Sequence, residues 1–392
     1  MNKNILKPGV QEFIRIKKST DIMSVLLKKQ YFEGVDNKEL AEQIAAREKC
    51  QKKLPTWFNS KEIYYPNKLN IEQTSSETTA KYKSDLVSGK SLIDLTGGFG
   101  VDSFYFSNSF EKIIHCEIDQ ELSKIVAHNY LKLQKKNVET INADGIEHLQ
   151  KSTEKFDCIY LDPSRRDDSL NRVFLFSDCS PNIVENLPLL LSKCRKLLIK
   201  TSPLIDISSG MRELNSVKQI HIVAVDNDVK EILWLIDKEE ETEVAVHTVN
   251  FVKTEIQKFS FHLNAEKQSS PEMSGPLTYL YEPNAAILKS GAFKSIAQAY
   301  NLKKLATNTH LYSSKDTKDF PGRIFRIQKV IPFQKKAILK EGIKKANVTT
   351  RNFPESVAKI RQRFKIKDGG IDYLFFTTLS NGDLVIIFCL KE

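Results

Sequence analysis

The stretch from Ser91 to Asp102, Ser-Leu-Ile-Asp-Leu-Thr-Gly-Gly-Phe-Gly-Val-Asp, constrains the fold more than any other part of the chain. Its first half predicts a short buried strand, its three glycines predict a turn, and the residues that follow predict an amphipathic helix. This order is typical of the first βα unit of a doubly wound sheet, in which nucleotide-like ligands bind at the helix N-terminus. We therefore expect a ligand of this kind at the glycine turn.

Strand-like and helix-like segments alternate after this stretch. Strands are predicted at 92–95, 112–116, 138–142, 156–161, 196–200, 218–225 and 231–236, and helices at 120–133, 145–149, 181–193 and 206–214. The alternation predicts an α/β fold, a parallel sheet with helices on both faces. The last two strands are separated by too few residues for a parallel crossover, so the last of the seven strands is expected to be antiparallel.

Four regions are predicted along the chain. They are a helical N-terminal domain at 1–72, the α/β domain at 73–268, a small α+β region at 277–330 and a C-terminal region at 331–392, with a polar linker before the third. The aromatic pairs Trp57-Phe58 and Tyr64-Tyr65 lie near lysines and could stack on bases. Packing of the helical region onto the next domain is the better interpretation of these aromatics.

The charge is unevenly distributed. The net charge of +10 divides into +6 for residues 1–70, −8 for 71–277 and +12 for 278–392. Basic flanks on an acidic body are typical of enzymes that act on nucleic acids, and simple solubility is the alternative. The six cysteines are scattered and form no Cys-x-x-Cys pair, which predicts a cytoplasmic protein without a bound metal. The sequence has no run of about twenty apolar residues, which predicts no membrane association.

The glycine turn resembles the Asp-x-Gly-x-Gly-x-Gly loop of class I S-adenosylmethionine (AdoMet) methyltransferases. Asp94, Gly98 and Gly100 match this loop, and Thr96 replaces its first glycine. The resemblance implies AdoMet as the cofactor, a Rossmann-like sheet, and an Asp94 carboxylate that takes the methionine ammonium. The dinucleotide fingerprint fits less well because Ser103 stands at its third glycine. A tight turn in another α/β enzyme remains the alternative.

Two further carboxylates follow the second and third predicted strands. Glu117 is placed to accept hydrogen bonds from both ribose hydroxyls. Asp144 lies where class I enzymes hold the adenine amino group, but it could equally cap the following helix. Both are predicted cofactor-binding residues.

The sequence Asp162-Pro163-Ser164-Arg165-Arg166 follows the fourth predicted strand. It resembles the Asp/Asn-Pro-Pro-aromatic motif of methyltransferases that act on base amino groups, which implies that Asp162 and Pro163 orient the acceptor nitrogen. The aromatic is absent, and the two arginines suit either phosphate binding or a salt bridge to Asp167 or Asp168. Cys179 could attack carbon-6 of a pyrimidine, but a buried cysteine is the commoner case.

With Gln73 to Glu77 and Asp178 to Pro181, these motifs resemble a bacterial family of class I methyltransferases. Its members carry a helical N-terminal part and a C-terminal ferredoxin-like and THUMP-like region, here 277–330 and 331–392. Because THUMP-type modules bind RNA, the resemblance implies methylation of a base nitrogen in tRNA or rRNA. In the basic run from 335 to 367, Lys335, Lys336, Lys344 and Lys345 are the predicted RNA contacts. A small-molecule methyltransferase and an AdoMet-binding protein without turnover are the alternatives.

Overall fold

The structure is a computed structural model that describes residues 1–165, 175–239, 242–253 and 255–392. Of the predicted site residues, Arg166 and the side chain of Arg165 lie outside this description. The chain forms two compact units, the first made of residues 1–217 with 234–241 and the second of residues 218–233 with 242–392.

Residues 1–217 carry the following elements. They are α1 Pro8–Ile16, α2 Ile22–Leu26, α3 Asn37–Lys53, α4 Pro55–Asn59, α5 Lys68–Gln73, α6 Glu77–Ser84, β1 Gly89–Asp94, α7 Val101–Phe106, β2 Phe110–Glu117, α8 Gln120–Lys132, β3 Val138–Asn142, α9 Gly145–Lys151, β4 Phe156–Leu161, β5 Ser164–Arg165, β6 Cys179–Ser180, α10 Ile183–Lys193, β7 Cys194–Thr201 and α11 Ile207–Glu213. Short 3-10 helices lie at Lys3–Leu6, Ser19–Asp21 and Phe176–Asp178.

Residues 218–392 are richer in strands. They carry β8 Gln219–Val225, β9 Asp228–Asp237, β10 Ala245–Val252, β11 Glu255–His262, α12 Leu263–Gln268, β12 Tyr279–Pro283, α13 Ala285–Ser290, α14 Ser295–Ala299, β13 Lys303–Ala306, β14 Thr309–Ser314, β15 Gly322–Pro332, α15 Lys335–Lys340, β16 Asn347–Arg351, α16 Val357–Phe364, β17 Asp372–Thr378 and β18 Leu384–Lys391.

The larger sheet contains, among the described residues, nine strands in the order β11-β10-β8-β9-β7-β4-β1-β2-β3. Strands β7, β4, β1, β2 and β3 are parallel, as their helical crossovers require. Asp226 and Asn227 join the neighbours β8 and β9 through a two-residue turn with φ of 50° and 63°, so β9 runs antiparallel to β8. The predicted α/β fold with an antiparallel last strand is confirmed, and β10 and β11 extend it beyond the seven predicted strands.

The N-terminal helices share a hydrophobic core with the α/β domain. Trp57 is 1% exposed, and its ring centroid lies 6.1 Å from that of Phe99 and 4.7 Å from that of Phe104. The side chain of Asn129 bonds both the N–H and the carbonyl of Tyr64, at 3.0 and 2.9 Å. Trp57, Tyr64 and Tyr65 are therefore buried in the protein, as the packing interpretation predicted, while Phe58 is partly buried with the Arg47 guanidinium 3.9 Å from its ring centroid.

The second sheet contains, within the described part of the chain, seven strands in the order β13-β14-β12-β15-β18-β17-β16. The first residues of β15 pair with β12, and residues from Phe325 onward pair with β18. The two regions predicted at 277–330 and 331–392 therefore share one continuous sheet. The spacing of apolar residues predicts one helix over 285–299 and no strand at 279–283 or 303–306. The structure adds β12 and β13 there and divides the helix into α13 and α14 at Gly291, where φ is 77°.

This second sheet curls until strands distant in its order meet. Glu282 on β12 is 3% exposed and accepts hydrogen bonds from Arg323 on β15 and from Arg351 at the end of β16, the latter at 2.7 Å. Thr309 on β14 donates to the carbonyl of Thr378 at 2.8 Å. Because a buried carboxylate is costly unless it is paired, the two guanidinium groups hold the curled sheet in this arrangement.

Candidate active site at the glycine loop

The three glycines after β1 are required for different structural reasons. Gly98 and Gly100 have φ of 57° and 79°, a region that favours glycine. A Cβ on Gly97 would lie 2.2 Å from Nε2 of the buried His115, so this position is small because of internal packing. A Cβ on Gly98 would meet only the Thr96 carbonyl, at 3.9 Å. The loop therefore leaves open space beside Gly98, where a ligand can approach the backbone.

Asp94, the last residue of β1, is hydrogen-bonded both to the loop and to α7. Its carboxylate accepts hydrogen bonds from the Thr96 N–H at 3.1 Å and from the Ser103 hydroxyl at 2.6 Å. The residue is 1% exposed, and this burial raises the pKa of Asp94 to about 7. Asp94 thus fixes the start of the loop against α7, and its contact with a methionine ammonium remains a prediction.

Glu117 is the last residue of β2, and Asp144 follows β3, the neighbour of β2 in the sheet. One carboxylate oxygen of Glu117 accepts the Gly98 N–H at 2.8 Å, and the other accepts the Asp119 N–H at 2.7 Å. Asp144 caps α9 by accepting the Glu147 N–H at 3.0 Å, one of the two roles predicted for it. Glu117 is therefore directly at the loop, and Asp144 is an exposed cap at the same edge of the sheet.

Thr96, which stands where the methyltransferase loop has its first glycine, joins that loop to the Asp-Pro motif. Its hydroxyl accepts the backbone N–H of Asp162 at 2.6 Å. Pro163, the next residue, is buried. The structure thus brings the two most informative motifs of the sequence into direct contact, and the threonine that departs from the loop pattern makes this contact.

Lys200 is a residue of the site that the sequence analysis missed. The register of β4 and β7 pairs Leu161 with Ile199, so Asp162 and Lys200 are the next residues at adjacent strand ends. The Lys200 ammonium forms an ion pair with Oδ2 of Asp162, and the two side chains are 12% and 31% exposed, respectively. A lysine that ends a buried strand was the signal in the sequence that could have identified it.

A buried charge network lies beneath these residues. Lys83 on α6 is fully buried, with its ammonium 3.2 Å from Oδ1 of Asp102 on α7. The hydroxyls of Ser75 and Tyr160 donate to Oδ2 of Asp102 at 2.8 and 2.7 Å. Burial alone would raise the pKa of Asp102, but Lys83 and then Lys200 lower it below its ordinary value. The network ties α6, α7 and β4 together under the loop.

Cys179 is fully buried in β6, which pairs with β5. Its Sγ donates to the Leu175 carbonyl at 3.5 Å.

Across the described residues no group of three or more His, Cys, Asp or Glu side chains could hold a metal ion. Of the helices in that same part of the chain, none has the length and apolar character needed to cross a bilayer.

The predicted RNA contacts lie on the second sheet and its helices. Lys335, Lys336, Lys344 and Lys345 are exposed, and among the described residues none of the four forms an ion pair. Two of them, Lys344 and Lys345, line a cavity of about 360 Å³ together with Phe388 and the carboxylate residues Glu341 and Asp372. Lys329 also lines it, with Nζ 4.7 Å from the Phe388 ring centroid. Because Lys329 is ion-paired with Glu341 and covers the Phe388 ring, Lys344 and Lys345 supply the exposed cations of this cavity.

Comparison with known proteins places this architecture in a family. Residues 279–321 match a ferredoxin-like domain, and residues 322–391 match a THUMP domain-like model. The crystal structure of a "putative methyltransferase" from Porphyromonas gingivalis W83 has a TM-score of 0.89 and 32% sequence identity, covering 99% of this chain and 98% of that chain. The chain belongs to this family of class I methyltransferases, which combines a helical N-terminal part with a C-terminal ferredoxin-like and THUMP-like region.

More distant matches cover a smaller share of the chain. An rRNA methylase from Streptococcus thermophilus is 13% identical with a TM-score of 0.30, covering 41% of this chain and 94% of that chain. A match at this level carries no information about function. A search of the curated proteins finds no match to this chain.

Proposed function

We propose that the protein transfers a methyl group from AdoMet to a nitrogen atom of a base in RNA, either tRNA or rRNA, in the cytoplasm. The observation that carries this proposal is the 2.6 Å hydrogen bond from the Asp162 N–H to the Thr96 hydroxyl. It joins the loop expected to bind the cofactor to the motif expected to bind the acceptor. Methyl transfer requires these two ligands to meet, and membership of a methyltransferase family supports the same reaction.

The residues of the loop fit AdoMet. The open space at Gly98 allows a ligand to approach the backbone, and Glu117 lies beside it, bonded to the Gly98 N–H. In the proposed complex Asp94, Thr96, Gly98 and Gly100 surround the methionine end, Glu117 receives the ribose hydroxyls, and Asp144 lies toward the adenine. AdoMet supplies a methyl group on a positively charged sulfur, which is already electrophilic.

The protein's task is then mainly alignment. Asp162 accepts a hydrogen bond from the acceptor amine, with the Pro163 carbonyl as a second acceptor, so that the nitrogen lone pair points at the methyl carbon. The new N–C bond forms as the S–C bond breaks, and the displaced proton leaves to solvent. Arg165 and Arg166 are proposed to bind phosphate near the acceptor site.

The RNA is proposed to dock on the C-terminal region 331–392. Its exposed lysines lie in a region of high positive charge, and like charges held this close repel one another unless a polyanion is bound. The cavity that Lys344 and Lys345 line suits a phosphate of the RNA backbone, because both ammonium groups are exposed there and cations bind phosphate. Lys335 and Lys336, exposed at the start of α15, are proposed as further phosphate contacts.

The test has two steps. Calorimetric titration of the folded protein with AdoMet or S-adenosylhomocysteine should give binding, and no binding at millimolar ligand would refute the cofactor assignment. Labelled AdoMet is then incubated with total RNA from cells that lack the gene, and nucleoside mass spectrometry identifies the product. In a parallel incubation with the small-molecule extract of the same cells, methylation there and not in the RNA would indicate the small-molecule class. AdoMet binding without transfer to either would indicate a protein without turnover.

Variants of Asp162 and Cys179 test the roles of these two residues in the same assay. Asp162→Ala should abolish transfer and leave AdoMet affinity nearly unchanged, since it removes the acceptor contact and the ion pair with Lys200 but keeps the main-chain hydrogen bond to Thr96 in the cofactor loop. Asp228→Ala is the matched control, because this carboxylate is 72% exposed at the β8–β9 turn, and it should keep full activity. Cys179→Ser should also stay active unless the reaction methylates carbon-5 of a pyrimidine.

A further inference from the structure

We propose that Lys200 is a positioning residue that holds the Asp162 carboxylate in its acceptor-binding orientation, while Thr96 holds the backbone of the same residue. This inference rests on the proposed function and deepens it. It adds to the site a cationic residue that neither the loop nor the Asp-Pro motif contains.

The two contacts restrain Asp162 at both ends. The Thr96 hydroxyl accepts its N–H at 2.6 Å and fixes the main chain where β4 ends. The Lys200 ammonium forms its ion pair with Oδ2, which fixes the rotation of the carboxylate about its side-chain bonds. Oδ1 is then the oxygen directed to the acceptor amine. A single hydrogen-bond acceptor in a known direction is what alignment of a nitrogen lone pair requires.

Lys200 is itself restrained. Its side chain is 12% exposed, and it comes from the end of a parallel strand whose neighbour carries Asp162. It also lies close enough to Asp102 to lower the pKa of that buried carboxylate. Any effect of Lys200 could therefore act through Asp162 or through Asp102, and the experiment must separate the two.

Lys83 provides that separation, because it is the other lysine beside Asp102 and its ammonium lies 3.2 Å from that carboxylate. Lys200→Met removes the charge and keeps most of the length of the side chain, and Lys200→Arg keeps the charge. Lys83→Met removes the other cation at Asp102, together with its hydrogen bond to the Ser75 hydroxyl at 3.2 Å. For Lys200→Met we expect kcat to fall between tenfold and a hundredfold, with KM for RNA and the dissociation constant for AdoMet within twofold of the parent. Lys200→Arg should recover most of kcat.

Lys83→Met should lower the unfolding temperature and leave kcat of the folded protein within twofold. A Lys200→Met variant that keeps its kcat would overturn the proposal. So would a loss of kcat in Lys83→Met equal to that in Lys200→Met, since Lys200 would then act through Asp102.

A second measurement does not need activity. In a double-mutant cycle of chemical unfolding with Asp162→Asn and Lys200→Met, the combined variant should be less destabilised than the sum of the single variants, because the two residues interact. Strict additivity would show that the pair is not formed and would overturn the inference. If the parent transfers no methyl group to RNA, the proposed function fails, and the cycle still decides whether Lys200 holds Asp162.

Discussion

Trp57 packs against Phe99, the aromatic residue inside the glycine loop, with ring centroids 6.1 Å apart. Both rings are nearly inaccessible, at 1% and 3% exposure, and both belong to the core that the N-terminal helices share with the α/β domain. The side chain between Gly98 and Gly100 is therefore anchored by a helix that precedes the whole sheet in sequence. Support for the loop comes from the N-terminal helices as well as from β1 and α7.

Removal of this support should affect both stability and cofactor binding. Trp57→Ala should lower the free energy of unfolding by about 3–5 kcal/mol, as expected for a buried tryptophan, and weaken AdoMet binding because Phe99 loses its neighbour. Denaturant unfolding and calorimetry measure the two effects. Trp234→Ala is the control, since Trp234 is equally buried but packs on Phe176 and Gly210. Equal AdoMet affinity in the two variants would contradict the role of Trp57.

The open space at Gly98 predicts a selective effect on the ligand. Gly98→Ala should cost about 1–2 kcal/mol of stability because φ is 57°, and its methyl group should enter the ligand space and weaken AdoMet binding at least tenfold. Gly291→Ala is the matched control, with φ of 77° and no atom within 4 Å of the added Cβ. It should cost similar stability without affecting AdoMet. The prediction fails if both variants bind AdoMet as the parent does.

The basic surface of the C-terminal region predicts a salt-dependent interaction. Reversal of Lys335, Lys336, Lys344 and Lys345 to Glu should weaken RNA binding and flatten its dependence on salt. The logarithmic slope should decrease by about 0.7 for each phosphate of a single strand that the variant no longer neutralises. Affinity for AdoMet should not change. Binding is measured by fluorescence anisotropy between low and physiological salt.

Four exposed lysines of the basic N-terminal flank give a control with the same change in charge, namely Lys18, Lys28, Lys29 and Lys38. Reversal of this second set should have the smaller effect. If it has the larger effect, the RNA docks on the N-terminal helices, and the C-terminal lysines are only a solvated surface.

A stacked histidine pair predicts weaker folding in acid. The rings of His221 on β8 and His247 on β10 lie 4.7 Å apart, and burial followed by the charge of His247 lowers the pKa of His221 to about 3. The pKa of this histidine in the unfolded chain is near 6.5, so below that pH the unfolded chain binds the proton and the folded chain does not. The free energy of unfolding therefore decreases as the pH is lowered. From pH 7 to pH 5 the loss is about 2 kcal/mol.

Urea unfolding of the parent and of His221→Phe at both pH values isolates this loss. Other buried titratable groups, including Asp94 and His115, contribute equally to both proteins and cancel in the comparison. The parent should lose about 2 kcal/mol more than the variant on acidification. Parallel losses would show that His221 is protonated in the folded protein at pH 5.

The sequence predicted what local patterns determine. The glycine loop, the alternation of strands and helices and the antiparallel last strand depend on neighbouring residues, and the structure confirms them. Lys200 was missed because its partner Asp162 is 38 residues away, and only the strand register brings them together. The strand at 279–283 was missed because Glu282 looks like a surface residue until Arg323 and Arg351 fold onto it.

The long strand β15 has a consequence for how this chain was assembled. The boundary between the two domain models falls between residues 321 and 322, at the start of a strand that pairs with β12 on one side and β18 on the other. A gene divided at this point would encode two fragments, each with a strand edge whose backbone N–H and C=O groups are unpaired. We therefore expect residues 279–391 to be inherited as a single structural unit. Chimeras that exchange this whole segment should fold better than chimeras that exchange either half.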